Sequence, residues 1–211
     1  LTQGGTVEGT GELDVSGTTL ELGDDLSAGD GTLTSNNNSV LHLLDDVTIT
    51  FYSVQTVFKA LEHNGNTLTL GSAASDLKLL DPLTLNAVTL HTQGADLNLQ
   101  GALTMQNNSL IDSTGGTLTL GGTVDNSSGL TVPGTALALG SDFAITGTLS
   151  TGTGTTISRN THEFDFSGGL LKLGGDLNLA GTVTGNDTRL ILQADATLGN
   201  SASNGTQFST G

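Results

Sequence analysis

Leucine occupies every second position in short stretches of this chain, and a polar corner follows each stretch. Leu20-Glu21-Leu22 and Leu118-Thr119-Leu120 are two examples. Alternating apolar and polar residues, bounded by Gly, Asn and Asp, are typical of short β-strands with one buried face. The first leucines of these stretches are Leu20, Leu41, Leu68, Leu97, Leu118, Leu137, Leu171 and Leu190. The pattern therefore predicts an all-β protein.

The stretches also recur as an array. Four longer copies, which share Gly, Leu, Leu and Gly at fixed offsets, begin at residues 16, 64, 114 and 167. Each Leu pair can be buried only by the units stacked above and below it. The spacing of the first leucines runs from 19 residues (Leu118 to Leu137) to 34 (Leu137 to Leu171). We predict one parallel β-solenoid domain over residues 1–211, with about eight coils and variable side loops at 27–40, 51–66, 72–96, 146–163 and 200–211.

One segment departs from the alternation. Val54, Val57, Phe58 and Leu61 follow the i, i+3, i+4, i+7 spacing of a helix face, and a Gly-containing stop signal comes next. The spacing predicts a short helix or a lateral loop over residues 53–62.

The same segment contains the aromatic cluster of the sequence, Phe51, Tyr52 and Phe58. Two interpretations remain open. The cluster is either a protrusion that binds a partner or a flap whose apolar face packs back on the coil, because large exposed apolar patches are uncommon on monomers.

The charge balance limits the possible partners. The chain has 21 acidic and 5 basic residues, a net charge of −16. Such a chain repels nucleic-acid phosphates and anionic membrane surfaces, and no apolar run is long enough for membrane insertion. There is no cysteine, so stability must come from the ladders and the leucine core. Because the sequence starts at Leu1 without an initiator Met, we expect it to be a segment of a longer repetitive protein.

Aspartates recur at one position of the repeat. The fifth residue after the first leucine is aspartate in five stretches: Asp25, Asp46, Asp142, Asp176 and Asp195. Asp24 and Asp45 lie one place earlier. Carboxylates stacked about 5 Å apart would repel each other, and a hard cation with oxygen ligands would remove that repulsion. The pattern predicts weak Ca²⁺ binding by Asp24, Asp25, Asp45 and Asp46, with a second location between Asp176 and Asp195; the alternative is a solvated acidic edge.

Few features of the sequence favour an enzymatic function. The acidic pairs could supply the two carboxylates of a glycosidase, but a polysaccharide-acting β-helix enzyme also needs cations and aromatic platforms. The chain has one Tyr and no Trp, and its four histidines have no metal-type spacing. We expect no enzymatic activity, no catalytic residue and no organic cofactor.

Ice binding is a further β-solenoid function to consider, because the chain is rich in Thr. It requires a flat, regular array of threonines. The outward positions between the paired leucines are mixed: Glu21, His42, Thr69, Asn98, Thr119, Ala138, Lys172 and Ile191. This face therefore does not favour ice binding.

Two runs carry a family resemblance. The sequences at 116–124 (GTLTLGGTV) and 171–183 (LKLGGDLNLAGTV) resemble the passenger repeats of bacterial autotransporters and filamentous-haemagglutinin-type adhesins. The resemblance implies a single-stranded, right-handed parallel β-helix, secreted or held at the bacterial cell surface, that works in adhesion, biofilm or cell–cell contact.

We therefore expect a non-catalytic extracellular segment that attaches to a cell-surface or extracellular ligand, either glycan or protein. The alternative is a filament subunit that self-associates head to tail, because solenoid ends expose unpaired strand edges.

Overall fold

The computed structural model describes residues 2–3, 7–8, 11–28, 31–125, 130–132, 134–140, 142–144, 147–153, 155–158, 163–165, 169–175, 177–178, 183–186, 189–192, 198–199 and 207–209. These residues form strands and turns. No helix occurs among them, and hence none that could span a lipid bilayer.

The strands are short and follow one another at close intervals along the chain. In chain order they are β1 (Thr2–Gln3), β2 (Val7–Glu8), β3 (Glu12–Asp14), β4 (Thr19–Leu22), β5 (Leu26–Ser27), β6 (Thr32–Thr34), β7 (Val40–Leu43), β8 (Val47–Thr50), β9 (Ser53–Phe58), β10 (Ala60–Glu62), β11 (Leu68–Leu70), β12 (Ser75–Leu79), β13 (Leu83–Asn86), β14 (Thr89–His91), β15 (Leu97–Leu99), β16 (Leu103–Gln106), β17 (Leu110–Asp112), β18 (Thr117–Leu120), β19 (Val124–Asp125), β20 (Leu130–Val132), β21 (Ala136–Leu139), β22 (Phe143–Ala144), β23 (Thr148–Thr151), β24 (Thr156–Ser158), β25 (Phe164–Asp165), β26 (Leu170–Leu173), β27 (Leu177–Asn178), β28 (Val183–Asn186), β29 (Arg189–Leu192), β30 (Leu198–Gly199) and β31 (Gln207–Ser209).

One pairing rule holds for every described ladder. The ladders are parallel, and each joins a strand to the strand three places further along the chain, as in β4 to β7 and β18 to β21. Three strands therefore make one coil. The coil length runs from 19 residues (Leu118 to Leu137) to 23 (Leu26 to Ile49). The predicted all-β parallel solenoid is confirmed, and the expected number of coils is roughly matched.

The core is a set of aliphatic columns inside the coils. Leu20 and Leu22 of β4 are fully buried, and they pair in register with the equally buried Leu41 and Leu43 of β7. Each leucine removed from water in this way contributes about 1.5–3 kcal/mol of transfer free energy. Buried apolar residues form one continuous cluster that extends from Val15 to Leu173.

The prediction of a short helix or lateral loop over residues 53–62 is wrong. The segment forms β9 and β10, separated by a corner at Lys59 whose amide donates to Ser39 O at 2.7 Å. The helical spacing was a coincidence, because Phe58 and Leu61 are inward residues of two different strands. The β-branched side chains of the segment favour extended backbone, and β12 is available to pair with β9.

The spacing of the coils is more even than the leucine pairs indicated. Leu41 pairs with Leu61, not with Leu68, whose partners are Val47 and Leu90. The segments predicted as side loops at 27–40, 51–66, 72–96 and 146–163 each contain strands, and the one at 200–211 lies outside the described residues apart from β31.

Candidate functional site

Paired aspartates occupy two equivalent corners, and the two members of each pair differ in their contacts. Asp25 Oδ1 accepts from the backbone amide of Thr48 at 2.6 Å, and Asp46 Oδ1 accepts from that of Thr67 at 2.6 Å. Asp24 and Asp45 instead accept from the amide of the residue that follows each of them, at 2.8 Å. All four side chains are exposed. The second aspartate of each pair therefore joins one coil to the next.

The same contact between coils recurs at other aspartates. Asp76 Oδ1 accepts from the amide of Asp96 at 2.9 Å, and Asp96 Oδ1 accepts from that of Thr117 at 2.8 Å. Asp142 Oδ1 accepts from the amide of Glu163 at 2.9 Å. A carboxylate is a strong acceptor for a backbone N–H that the corner leaves without a strand partner. This inter-coil role was not predicted from the sequence.

The described part of the chain does not bring together a set of side chains that could hold a metal ion. No three His, Asp or Glu side chains there converge as metal ligands. The weak Ca²⁺ binding expected at Asp24, Asp25, Asp45 and Asp46 stays a prediction. The second expected location, between Asp176 and Asp195, lies outside the described residues.

The aromatic cluster is divided between core and surface. Phe51 and Phe58 are 1% and 0% exposed, whereas Tyr52 is 61% exposed. The two phenylalanines thus pack back on the coil, which is the alternative that the sequence left open. Partner binding by this cluster stays a prediction, and in this structure Tyr52 is its accessible member.

Two histidine–carboxylate pairs bridge neighbouring coils. His42 Nδ1 lies 3.4 Å from Glu21 Oε1, and His91 Nδ1 lies 3.3 Å from Asp112 Oδ2. The Thr114 hydroxyl, which donates to Asp112 at 2.8 Å, lowers the pKa of that carboxyl, and His91 acts in the same direction. In both pairs the partners are 21 residues apart, the length of one coil. That separation is the signal that sequence reasoning overlooked.

One carboxylate in a less favourable environment, that of Asp76, lies near the start of β12, next to the buried Leu77. Burial raises the pKa of Asp76, and the Asp96 carboxylate adds to this, while the hydrogen bond from the Asp96 amide opposes it. The ionised form of Asp76 therefore carries an electrostatic cost in the folded protein.

A shallow polar groove of about 350 Å³ crosses several coils on the outside of the solenoid. It is lined by Asn108, Ser109, Leu110, Thr131, Thr148, Ser150 and Lys172. Thr131, Ser150 and Lys172 pair in register on β20, β23 and β26, so their side chains point outward as one row. The groove presents hydroxyl groups, an amide and one ammonium group in a strongly acidic protein. Sequence reasoning missed it, because only the correct coil register brings these residues together.

Comparison with protein-family models, with curated proteins and with solved structures gives no match to this chain. These comparisons therefore add no support to the family resemblance of the repeat motifs, and what the structure shows is the parallel β-solenoid.

Proposed function

We propose that this chain is a non-catalytic, extracellular β-solenoid segment that attaches a bacterial surface to another cell or surface. The observation that carries the proposal is the pairing of each described strand with the strand three places on, which stacks the coils into a rod. Such a rod keeps its ends apart and presents long rows of side chains.

The polar groove supports an adhesive role for one of these rows. Lys172 gives it a cation, and Asn108, Thr131 and Ser150 give it groups that both donate and accept hydrogen bonds. Recognition of an extracellular glycan or protein commonly uses a few such polar groups on a rigid scaffold. We propose this groove as the principal contact surface, and Tyr52 as a separate exposed aromatic contact.

A binding experiment tests the proposal. The purified chain, coupled to beads, is applied to a glycan array and to a panel of extracellular-matrix proteins. We expect at least one ligand to bind the wild type, and Lys172→Gln to weaken that binding about tenfold, the loss expected for one polar contact. Lys78→Gln is the matched control, because Lys78 lies on β12 away from the groove. Absence of binding across both arrays, or equal loss in the two variants, would contradict the groove as the adhesive surface.

A second candidate, a head-to-tail filament subunit, is favoured by a different observation. β29 is the last strand of its ladder among the described residues, and its Leu190, Ile191 and Leu192 are 39%, 38% and 52% exposed. A strand edge that has no partner within the described part of the chain, beside exposed apolar side chains, suits the addition of a further coil from a second copy.

Sedimentation over a range of protein concentrations distinguishes the two candidates. Concentration-dependent fibres that Leu192→Ser abolishes would support the filament, with Leu44→Ser as control because Leu44 is 50% exposed away from that edge. A monomer at every concentration would support the adhesive segment.

A further inference from the structure

The corner between β10 and β11 contains an Asn-Gly pair whose reacting atoms contact two histidines. Residues 63–66 form a tight turn closed by the Asn66 amide, which donates to His63 O at 2.8 Å. Asn64 and Gly65 have φ values of 52° and 88°, so both lie in the left-handed region. Asn64 and Gly65 are exposed, and water therefore reaches the turn.

The first histidine contacts the backbone nitrogen of the glycine. The Gly65 amide donates to His63 Nδ1 at 3.0 Å, and His63 Nε2 lies 2.7 Å from Thr84 O. Because a carbonyl oxygen only accepts, the proton of the neutral ring lies on Nε2. The Nδ1 lone pair is therefore directed at the Gly65 N–H, within the distance at which a general base removes a proton.

The second histidine contacts the side-chain amide of the asparagine. Asn64 Nδ2 donates to His42 Nε2 at 2.6 Å and to Leu43 O at 3.3 Å. Since Nε2 of His42 accepts, its ring proton lies on Nδ1, which faces Glu21 Oε1 at 3.4 Å. The coil below thus holds the nitrogen that leaves when an asparagine side chain loses ammonia.

We propose that Asn64 is a site of self-catalysed deamidation, with His63 as the base. The Gly65 nitrogen forms a bond to Asn64 Cγ and gives its proton to His63 Nδ1. The Cγ–Nδ2 bond breaks, and the nitrogen leaves as ammonia after the proton returns to it through water. Water then opens the succinimide at either carbonyl, which yields aspartate or isoaspartate. The product adds a carboxylate beside the His42–Glu21 pair, and the isoaspartate form adds a methylene to the backbone at this corner.

The chain supplies a matched turn that lacks the histidines. Gln93 and Gly94 have φ values of 47° and 88°, and the Ala95 amide closes the turn on Thr92 O at 2.9 Å. Thr92 occupies the place of His63 there. Gln93→Asn therefore puts a second Asn-Gly pair in the same backbone geometry without an imidazole at the glycine amide.

Peptide mapping measures the reaction. The folded wild type and Gln93→Asn are incubated at neutral pH and digested with trypsin at intervals. Cleavage after Lys59, Lys78 and Arg159 releases peptide 60–78, which contains Asn64, and peptide 79–159, which contains position 93. Both peptides are analysed by mass spectrometry and chromatography for aspartate and isoaspartate. We expect Asn64 to react at least about tenfold faster than the asparagine of Gln93→Asn, because a positioned base contributes a factor of ten or more.

Two further measurements separate catalysis from local disorder. His63→Ala should slow the reaction in the folded protein about tenfold, and added imidazole should restore part of the rate. In denaturant, wild type and variant should react equally. An unchanged rate in His63→Ala, or a folded protein that reacts no faster than the denatured chain, would overturn the proposal.

Discussion

Asp46 Oδ1 accepts a hydrogen bond from the backbone amide of Thr67, 21 residues further along the chain, at 2.6 Å. The contact joins the corner of one coil to the corner of the next, where strand pairing stops. Its neighbour Asp45 accepts from the adjacent amide of Asp46 and makes no such link. We therefore expect these two adjacent acidic residues to differ in their effect on stability.

The first prediction concerns this difference. Asp46→Ala should lower the free energy of unfolding by about 1 kcal/mol, the net value of one hydrogen bond, because the Thr67 amide loses its acceptor. Asp45→Ala removes the same charge but no inter-coil contact, and it should cost clearly less. Urea denaturation of both variants checks this, and equal losses would contradict a structural role specific to Asp46.

Ca²⁺ binding gives a second prediction. If Asp24, Asp25, Asp45 and Asp46 share a cation, the thermal midpoint should be higher with excess Ca²⁺ than with a chelator, because the cation binds the folded state alone. The double variant Asp24→Asn, Asp45→Asn should reduce that difference while leaving the inter-coil hydrogen bonds in place. Identical midpoints with Ca²⁺ and with chelator would end the hypothesis.

The raised pKa of Asp76 predicts that replacing its carboxyl group stabilises the protein at neutral pH but not in acid. Because the folded state binds this proton more tightly than the unfolded chain, the ionised carboxyl is a penalty at neutral pH that disappears as the pH falls through the raised pKa. Asp76→Asn should therefore raise the free energy of unfolding near pH 7 by less than about 1 kcal/mol, since the site is partly solvated, and the gain should vanish in acid. The amide oxygen can still accept from the Asp96 amide.

Asp112 is the control for that experiment, because its substitution should change the free energy of unfolding in the opposite direction. Its pKa is lowered, so the stability that it contributes is present above the pKa of the unfolded chain and is lost as the pH falls through the folded pKa. Asp112→Asn should destabilise at neutral pH and have little effect in acid. Urea midpoints measured across the acidic range give both profiles, and a gain for Asp112→Asn at pH 7 would contradict the assignment.

Removal of the buried Thr92 hydroxyl is predicted to stabilise the protein. Its Oγ1 is buried and makes no hydrogen bond, so Thr92→Val should raise the free energy of unfolding by about 1 kcal/mol. The matched control is Thr155→Val, because the Thr155 hydroxyl donates to Val132 O at 2.6 Å and accepts from the Gly134 amide. That variant should lose about 1–2 kcal/mol. Destabilisation of Thr92→Val would show that the Thr92 hydroxyl has a partner in solution.

Two coils stack closely at Gly122, so one added methyl group at this position is predicted to lower stability. A Cβ on Gly122 would overlap the backbone of Gly101 and Ala102 in the coil below. Gly122→Ala should therefore cost about 1–3 kcal/mol, the usual range for overpacking. Gly11→Ala is the control, because open space surrounds that position. Equal denaturation midpoints for the two variants would contradict a fixed spacing of the coils at this corner.

The sequence predicted the fold class because the inward positions are dominated by leucine. Leu20 and Leu41 do pair, as do Leu97 and Leu118, and the expected aliphatic columns are present. The prediction of coil spacing failed where a strand contributes a single leucine. Leu61 lies between Ala60 and Glu62 in β10 and is not part of a Leu-x-Leu stretch. The pattern of leucine pairs therefore assigns Leu68, instead of Leu61, to the coil that follows Leu41.

The candidate sites could not be read from the sequence for a related reason. Lys172, Ser150 and Thr131 become neighbours only once the register of three coils is known. Likewise, the contact of His63 with Gly65 depends on a turn conformation, and that of His42 with Asn64 depends on which coil lies below. Local alternation specifies which face is buried but does not specify which residues become neighbours across coils.

The rule that each strand pairs three places on has a mechanical consequence. The ladder hydrogen bonds run along the axis of the rod, so a pulling force applied at the two chain ends would open one coil boundary at a time and not shear the whole molecule. A coil of 21 residues, such as Leu97 to Leu118, would release roughly 65 Å of chain as it peels away. A solenoid with this pairing should therefore lengthen in steps under tension and shorten again as the coils re-form.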